Sequence, residues 1–369
     1  DVEHALNVKS NAVSNILDNL YEELTGSFTF RLQVDGKIQI LTQDQVRSLR
    51  LVADASIRKK AWDALRKKYA DKKVQITLWN LYASIVKNWI AELKLRWHKN
   101  VMAPRNIAEE LDDSTVDMLL EQVQSNFHLY HKYCKLKAKI LWKSKLDYYD
   151  LFAPISAKSK KIKFQEGLDM YMESMYLFDD EFFQISKDMF VKWQVDVFPK
   201  KWKRWWAFAS YDKDHKSFVL LNYADSLDDV STIAHEMGHA IHGRFSQSQP
   251  RKVFDTGLCL AETASIFNEL IFADYVKKSL TEEERLQFVS KQLENAFATI
   301  FRQIQYILFE KKVHQSFYED KQLTYIDFNN MRRETQLLMS WDNVNYGISA
   351  DKETGWSSIP HIFNSPFYC

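Results

Sequence analysis

Hydrophobic positions along this chain recur mostly at intervals of three and four, which predicts helices. Residues 1–24 keep that spacing. Residues 28–41 switch to alternation on either side of Asp35-Gly36, the strongest short hairpin signal. Thr42-Gln-Asp-Gln45 then has the spacing of a capping box. From there to about Met189 the pattern predicts nearly continuous helices, broken near Pro104, Ser114 and Pro154. The Trp, Tyr and Leu recurring in this stretch are core stripes; His98, His128 and His131 fall among them and carry no assigned role.

At Gln194 the period changes. Residues 195–198, 205–210 and 218–222 are short, β-branched or aromatic, and are separated by Asp212-Lys-Asp214, so they predict a small sheet. Helical spacing resumes near residue 232 and again over 255–270. Thr281-Glu-Glu-Glu284 opens a further helix. Residues 292–315 carry a long apolar stripe, and 323–339 predict one more helix before a polar loop to Trp356. The expected protein is mainly α with a small β-sheet. A soft boundary near residue 195 divides a helical part with an N-terminal hairpin (1–194) from a second part (195–369).

The chemistry lies in that second part. Thr232-Ile-Ala-His235-Glu236-Met-Gly-His239-Ala-Ile-His242 contains H-E-x-x-H on a predicted helix. Residues four apart share a helix face, so His235 and His239 can offer imidazole nitrogens to one ion. Glu236, at the rim of that face, can reach an activated water as general base without being a ligand. By chance the motif would appear in a chain of this composition with odds of about 0.01–0.02, the bland alternative being two surface histidines and a glutamate. Glu262, on the next helical pattern, can complete a His2Glu site for one Zn2+. His242 is too far round the helix to join a tetrahedral site. Ser265, Asp228 and Asp229 are candidate partners that hold the ligands from behind.

Composition removes other readings. The net charge of +1 on 369 residues gives no electrostatic case for nucleic acid or an anionic membrane. No apolar run approaches the length of a membrane span, and no signal peptide is recognised. Three cysteines, Cys134, Cys259 and Cys369, are odd in number and far apart, so the expectation is no disulfide framework and a reducing cytoplasm.

The runs His235-Glu236-Met-Gly-His239-Ala-Ile-His242 and Leu260-Ala-Glu262-Thr-Ala-Ser265 resemble the M3 zinc oligopeptidases, in their oligoendopeptidase F branch. The lysine-rich stretch ending in Tyr149-Asp150-Leu, the segments Phe301-Arg-Gln and Phe309-Glu310, and Ile359-Pro-His361-Ile-Phe-Asn-Ser-Pro-Phe-Tyr368 agree with that family in order. The resemblance implies a gluzincin (thermolysin-like) core with a deep cleft between helical parts. It also implies a short peptide as substrate, and His361 and Tyr368 at or near the oxyanion. A substrate-binding strand is implied at Trp206, Ala207 and Phe208, where edge pairing holds the peptide main chain. It further implies helical portions beyond both ends of this chain.

Two departures stand out. Gly is only 8 of 369 while Trp reaches 11, and Trp97, Trp142, Trp206 and Trp341 occupy positions where the resemblance implies glycine. Two readings follow: a zinc endopeptidase for short unfolded peptides, or a non-catalytic zinc-containing peptide-binding protein or inactive fragment of such a peptidase. Glu236 favours the first, since a merely structural site has no use for a base. An indole at position 206 favours the second. Oligomeric state is not legible.

Overall fold

The structure, a computed structural model, describes residues 2–34, 36–156, 161–200, 203, 207–349 and 352–367. In chain order, α1 (Val2–Gly26) leads to the hairpin β1 (Thr29–Val34) and β2 (Lys37–Thr42), then α2 (Gln43–Ser48), α3 (Ala55–Tyr69) and α4 (Lys72–Leu95). There follow α5 (Ala103–Ala108), α6 (Asp113–Ser125), α7 (Phe127–Ile140) and a short β3 (Leu146–Asp147). Next come α8 (Phe164–Phe178), α9 (Asp180–Val191), β4 (Val195–Asp196), β5 (Phe208–Asp212) and β6 (His215–Leu220). The remainder is helical: α10 (Leu227–Ser246), α11 (Leu258–Val276), α12 (Glu282–Phe297), a π-helical turn (Ala298–Arg302), α13 (Gln303–Tyr318) and α14 (Tyr325–Ser340). β7 (Val344–Asn345) and α15 (His361–Asn364) close the described chain.

Local signals explain many of these elements. Val34 pairs with Lys37, leaving a two-residue turn in which Gly36 takes φ +77, as the tight hairpin requires. Asp35 itself lies outside the described residues. Thr42 and Gln45 cap α2 reciprocally, and Thr281 and Glu284 do the same before α12.

The chain forms two compact units, Asp1–Ile155 with Ser290–Cys369, and Ser156–Val289. This corrects the boundary expected near residue 195. The reason is packing: Tyr171 and Met175 of α8 and Met189 of α9 are buried with Ile233 and Met237 of α10 in one core. Residues 164–191 therefore belong with α10. In the other unit, Tyr82 of α4 packs against Phe309 of α13, Phe328 of α14 and Trp356, with ring centroids 6.2, 5.8 and 6.0 Å away. Such aromatic pairs contribute about 0.5–1.5 kcal/mol each beyond the area they bury. They tie residues 301–363 to the N-terminal helices rather than to the sheet. β3 and β7 add a parallel rung, Leu146 to Val344, to the same unit.

The second unit carries a three-stranded sheet in the order β4-β6-β5, with β5 antiparallel to β6 and at the sheet's edge. Among the described residues no helix is long and apolar enough to cross a membrane.

Candidate metal centre

Ser226 starts α10. Its hydroxyl receives the Asp229 N–H at 3.1 Å, while the Asp229 carboxylate accepts the Ser226 N–H at 2.9 Å, a capping box. The apolar residues Val230, Ile233, Ala234, Met237 and Ala240 bury one face of the helix. α11 packs alongside, and Gly238 sets how closely. A Cβ at that position would lie 2.6 Å from the Ala264 carbonyl oxygen and 2.7 Å from Ser265 Cα. Asn268, fully buried on α11, donates to the Ala234 carbonyl at 2.6 Å and fixes the register of the pair.

That register gathers the predicted ligands. Glu262 Oε2 lies 3.3 Å from His235 Nε2 and 3.5 Å from His239 Nε2. The two imidazoles stand edge to face, their centroids 4.9 Å apart. One donor atom from each of His235, His239 and Glu262 falls within 4.8 Å of the others. Two imidazole nitrogens and a carboxylate at this spacing fit the borderline-soft, tetrahedral preference of zinc and leave a position over.

The surroundings tune each group. Ser265, one turn beyond Glu262, donates its hydroxyl to Oε2 at 2.7 Å. The His239 imidazole first, and then Ser265, hold the Glu262 carboxyl down to about 2. Burial works against protonating His235, but the Glu269 carboxylate at its Nδ1 outweighs it and raises its pKa. Glu236 is buried, which raises its pKa above the ordinary carboxylate value. The two imidazoles and the backbone N–H of Ala209 on β5 oppose that rise. A carboxylate desolvated in this way is a stronger base than one in water.

The other candidates fall as follows. Glu269 was missed in the sequence, although Glu262, Ser265 and Glu269 recur at i, i+3 and i+7 on one helix face. Asp229 does not stand behind a ligand: its Oδ2 takes the Ala224 N–H at 3.0 Å and the Ser226 O–H at 2.7 Å, so its reach is spent at the helix start. His242 turns toward Thr256, with Nε2 3.3 Å from its Oγ1. Ala207 and Phe208 lie at the start of the edge strand, in the same unit as the ligands. Trp206 lies outside the described residues. His361 opens α15 in the other unit with an exposed side chain, and Tyr368 lies outside the described residues.

The family model for peptidase family M3 matches residues 48–369. The chain is similar to the chromosomal oligoendopeptidase F of Lactococcus lactis subsp. cremoris, 31% identical over 337 residues, covering 90% of this chain and 54% of that protein. It is also similar to the group B oligopeptidase PepB of Streptococcus agalactiae serotype III, 27% identical over 88% of this chain and 53% of the relative. Its fold is like that of the crystallised oligoendopeptidase-F of Enterococcus faecium, with a TM-score of 0.73 at 20% identity, covering 97% of this chain and 58% of that one. The chain thus spans about half the length of the relatives it matches.

Proposed function

The chain belongs to peptidase family M3, and from that premise we propose that the protein is a zinc metalloendopeptidase that hydrolyses short, unfolded peptides. His235, His239 and Glu262 would hold a single Zn2+. When bound, zinc supplies a Lewis acid that lowers the pKa of water and polarises the scissile carbonyl.

The remaining work falls to the chain's own side chains. Glu236 accepts the proton that the attacking water gives up and returns it to the leaving amine. Its burial and the Ala209 amide suit it to that role. Ser265 and Glu269 orient Glu262 and His235 through the hydrogen bonds they make with them. The edge of β5, at Ala207 and Phe208, offers main-chain pairing to an extended peptide, which explains tolerance of many side chains. We place the protein in a reducing cytoplasm, as its three scattered cysteines suggest.

What supports this reading most is one juxtaposition. Two imidazoles and a carboxylate converge beside a buried glutamate that stays out of the ligand set. The test is metal content together with cleavage of a quenched fluorescent nonapeptide, with and without a chelator. We expect one zinc per chain and chelator-sensitive cleavage, with Glu236→Gln keeping the zinc and losing turnover by about 10²–10⁴-fold. Zinc without cleavage would favour the non-catalytic peptide-binding protein. Absence of zinc would end both readings.

A further inference from the structure

Described tryptophans of this chain fall into two populations. Trp62 packs against the Tyr148 ring at 4.4 Å, Trp89 donates its indole N–H to the Val101 carbonyl at 2.8 Å, and Trp356 is 1% exposed and donates to Asn329 Oδ1 at 2.8 Å. These are ordinary core tryptophans, whose large apolar rings are covered. Trp97, Trp142, Trp193 and Trp341 are instead 88, 96, 91 and 70% exposed.

The second group shares something more specific than exposure. Their φ angles are +55, +56, +58 and +48. Trp97, Trp142 and Trp193 each stand one residue past the cap of a helix, after α4, α7 and α9. In each case the following N–H reaches back five residues: His98 to the Leu93 oxygen at 3.0 Å, Lys143 to Ala138 at 2.9 Å, and Gln194 to Met189 at 2.9 Å. This is the Schellman closure, whose left-handed residue is usually glycine because a Cβ there is strained. Trp341 ends α14 at φ 48 and ψ −136, in the mirror-image extended region that glycine alone enters freely.

The association is not one of composition. Among the described residues, four of the eight non-glycine residues with positive φ are tryptophan, a residue that supplies only 11 of 369 positions. Asparagine and aspartate are the usual visitors to that region, and a bulky aromatic residue is a true outlier there. Nor does a docking surface account for it. The four cap four different helices distributed over both compact units, and a binding patch has no reason to select a dihedral angle. Over the same chain glycine is scarce, 8 residues where the usual share of about 7% would give roughly 26.

One cause covers both anomalies. We propose that positions 97, 142, 193 and 341 are glycine in the native protein, specified by a codon that the cell of origin decodes as glycine and that reads as tryptophan only under another code. UGA is the candidate codon, one base from the tryptophan codon UGG and one from the glycine codon GGA. This inference rests on backbone geometry and not on the proposed function, but it bears on it. Trp206 lies outside the described residues, but the M3 resemblance implies glycine there too, and the same codon would remove the indole that favours an inactive protein.

The test is peptide mapping by mass spectrometry of the chain isolated from its own organism, read beside the gene. The expected result is glycine, with UGA codons, at 97, 142, 193, 206 and 341, and tryptophan with UGG at 62, 89 and 356. Tryptophan in the peptides at the four capping positions overturns the proposal. A second arm uses recombinant protein carrying Trp97→Gly, Trp142→Gly, Trp193→Gly and Trp341→Gly together, against the same four positions changed to alanine. Glycine relieves the left-handed strain and alanine does not, so the glycine version melts higher than both the alanine version and the parent. Equal melting of the two versions would remove the geometric basis of the inference.

Discussion

Glu269 lies seven residues after Glu262 on α11, and its Oε1 accepts the Nδ1 hydrogen of His235. With that hydrogen engaged, the lone pair of the imidazole is left on Nε2, the nitrogen 3.3 Å from Glu262 Oε2. Removing such a partner typically costs 10–100-fold in metal affinity. Glu269→Ala is expected to weaken zinc binding by about that factor, and Glu269→Gln, which retains an acceptor oxygen, by much less. Competition with a graded chelator measures both; equal losses would show that Glu269 acts only by filling space.

The contact of Gly238 with α11 makes a second prediction. A methyl group placed there meets backbone atoms at 2.6 and 2.7 Å, which cannot swing aside as a side chain tip can. Gly238→Ala forces the two ligand-bearing helices apart and is expected to cost about 1–3 kcal/mol of stability. Zinc affinity falls with it, because Glu262 moves relative to both histidines. Denaturant unfolding with and without zinc separates the two effects. Unchanged affinity would mean that the helix pair yields without moving Glu262.

Asp229 and Ser226 predict the opposite pattern. Their reciprocal bonds satisfy the first backbone N–H groups of α10, far along the helix from the ligands. Ser226→Ala is expected to destabilise the protein by about 1 kcal/mol with zinc affinity retained in the folded protein. Isothermal titration with zinc at a temperature where the variant is fully folded checks this; a large affinity loss would return Asp229 to the neighbourhood of the ligands.

A fourth prediction concerns pH. Glu310 on α13 is fully buried, and burial pushes its carboxyl up to about 8, against the opposing bonds from the Phe367 N–H and the Tyr82 hydroxyl. In the unfolded chain the same group titrates near 4.5. The folded state therefore holds the proton more tightly. The stabilising contribution is complete below pH 4.5, declines as pH rises, and is lost as pH passes about 8. The slope approaches about 1.4 kcal/mol per pH unit within that window. Glu310→Gln, neutral throughout, is expected to flatten this part of the stability profile. Chemical denaturation midpoints across the window read it directly.

The legible parts of this protein were those written in neighbouring residues. The hairpin at Asp35-Gly36, the boxes at Thr42 and Thr281, and the facing histidines of α10 all follow from spacings of two to four. Glu262 was within reach because one loop and about three turns of helix separate it from His239. What escaped was long-range. Nothing in the periodicity of residues 164–191 says that Tyr171 and Met189 will pack against Ile233 and Met237, so the boundary was placed forty residues too late, near 195 instead of 155. Asp229 was misassigned for a different reason. A carboxylate close in sequence to metal ligands invites a supporting role, but its distance along the helix and its local N–H partners favour the cap.

β5 is five residues long, lies at the sheet's edge, and its pairing with β6 slips between Ser210 and Asp212. A guest strand added to such an edge gains only a few rungs, each with a net value of about 1 kcal/mol. Grip of that kind is spread over the main chain and is weak at any one point. When a guest is cut in two, each half keeps only its own share of the rungs, and its residence time shortens accordingly. If the edge holds the substrate as proposed, its shortness and its interruption favour clearance of the fragments over retention, a kinetic property set by the length of one strand rather than by any side chain in it.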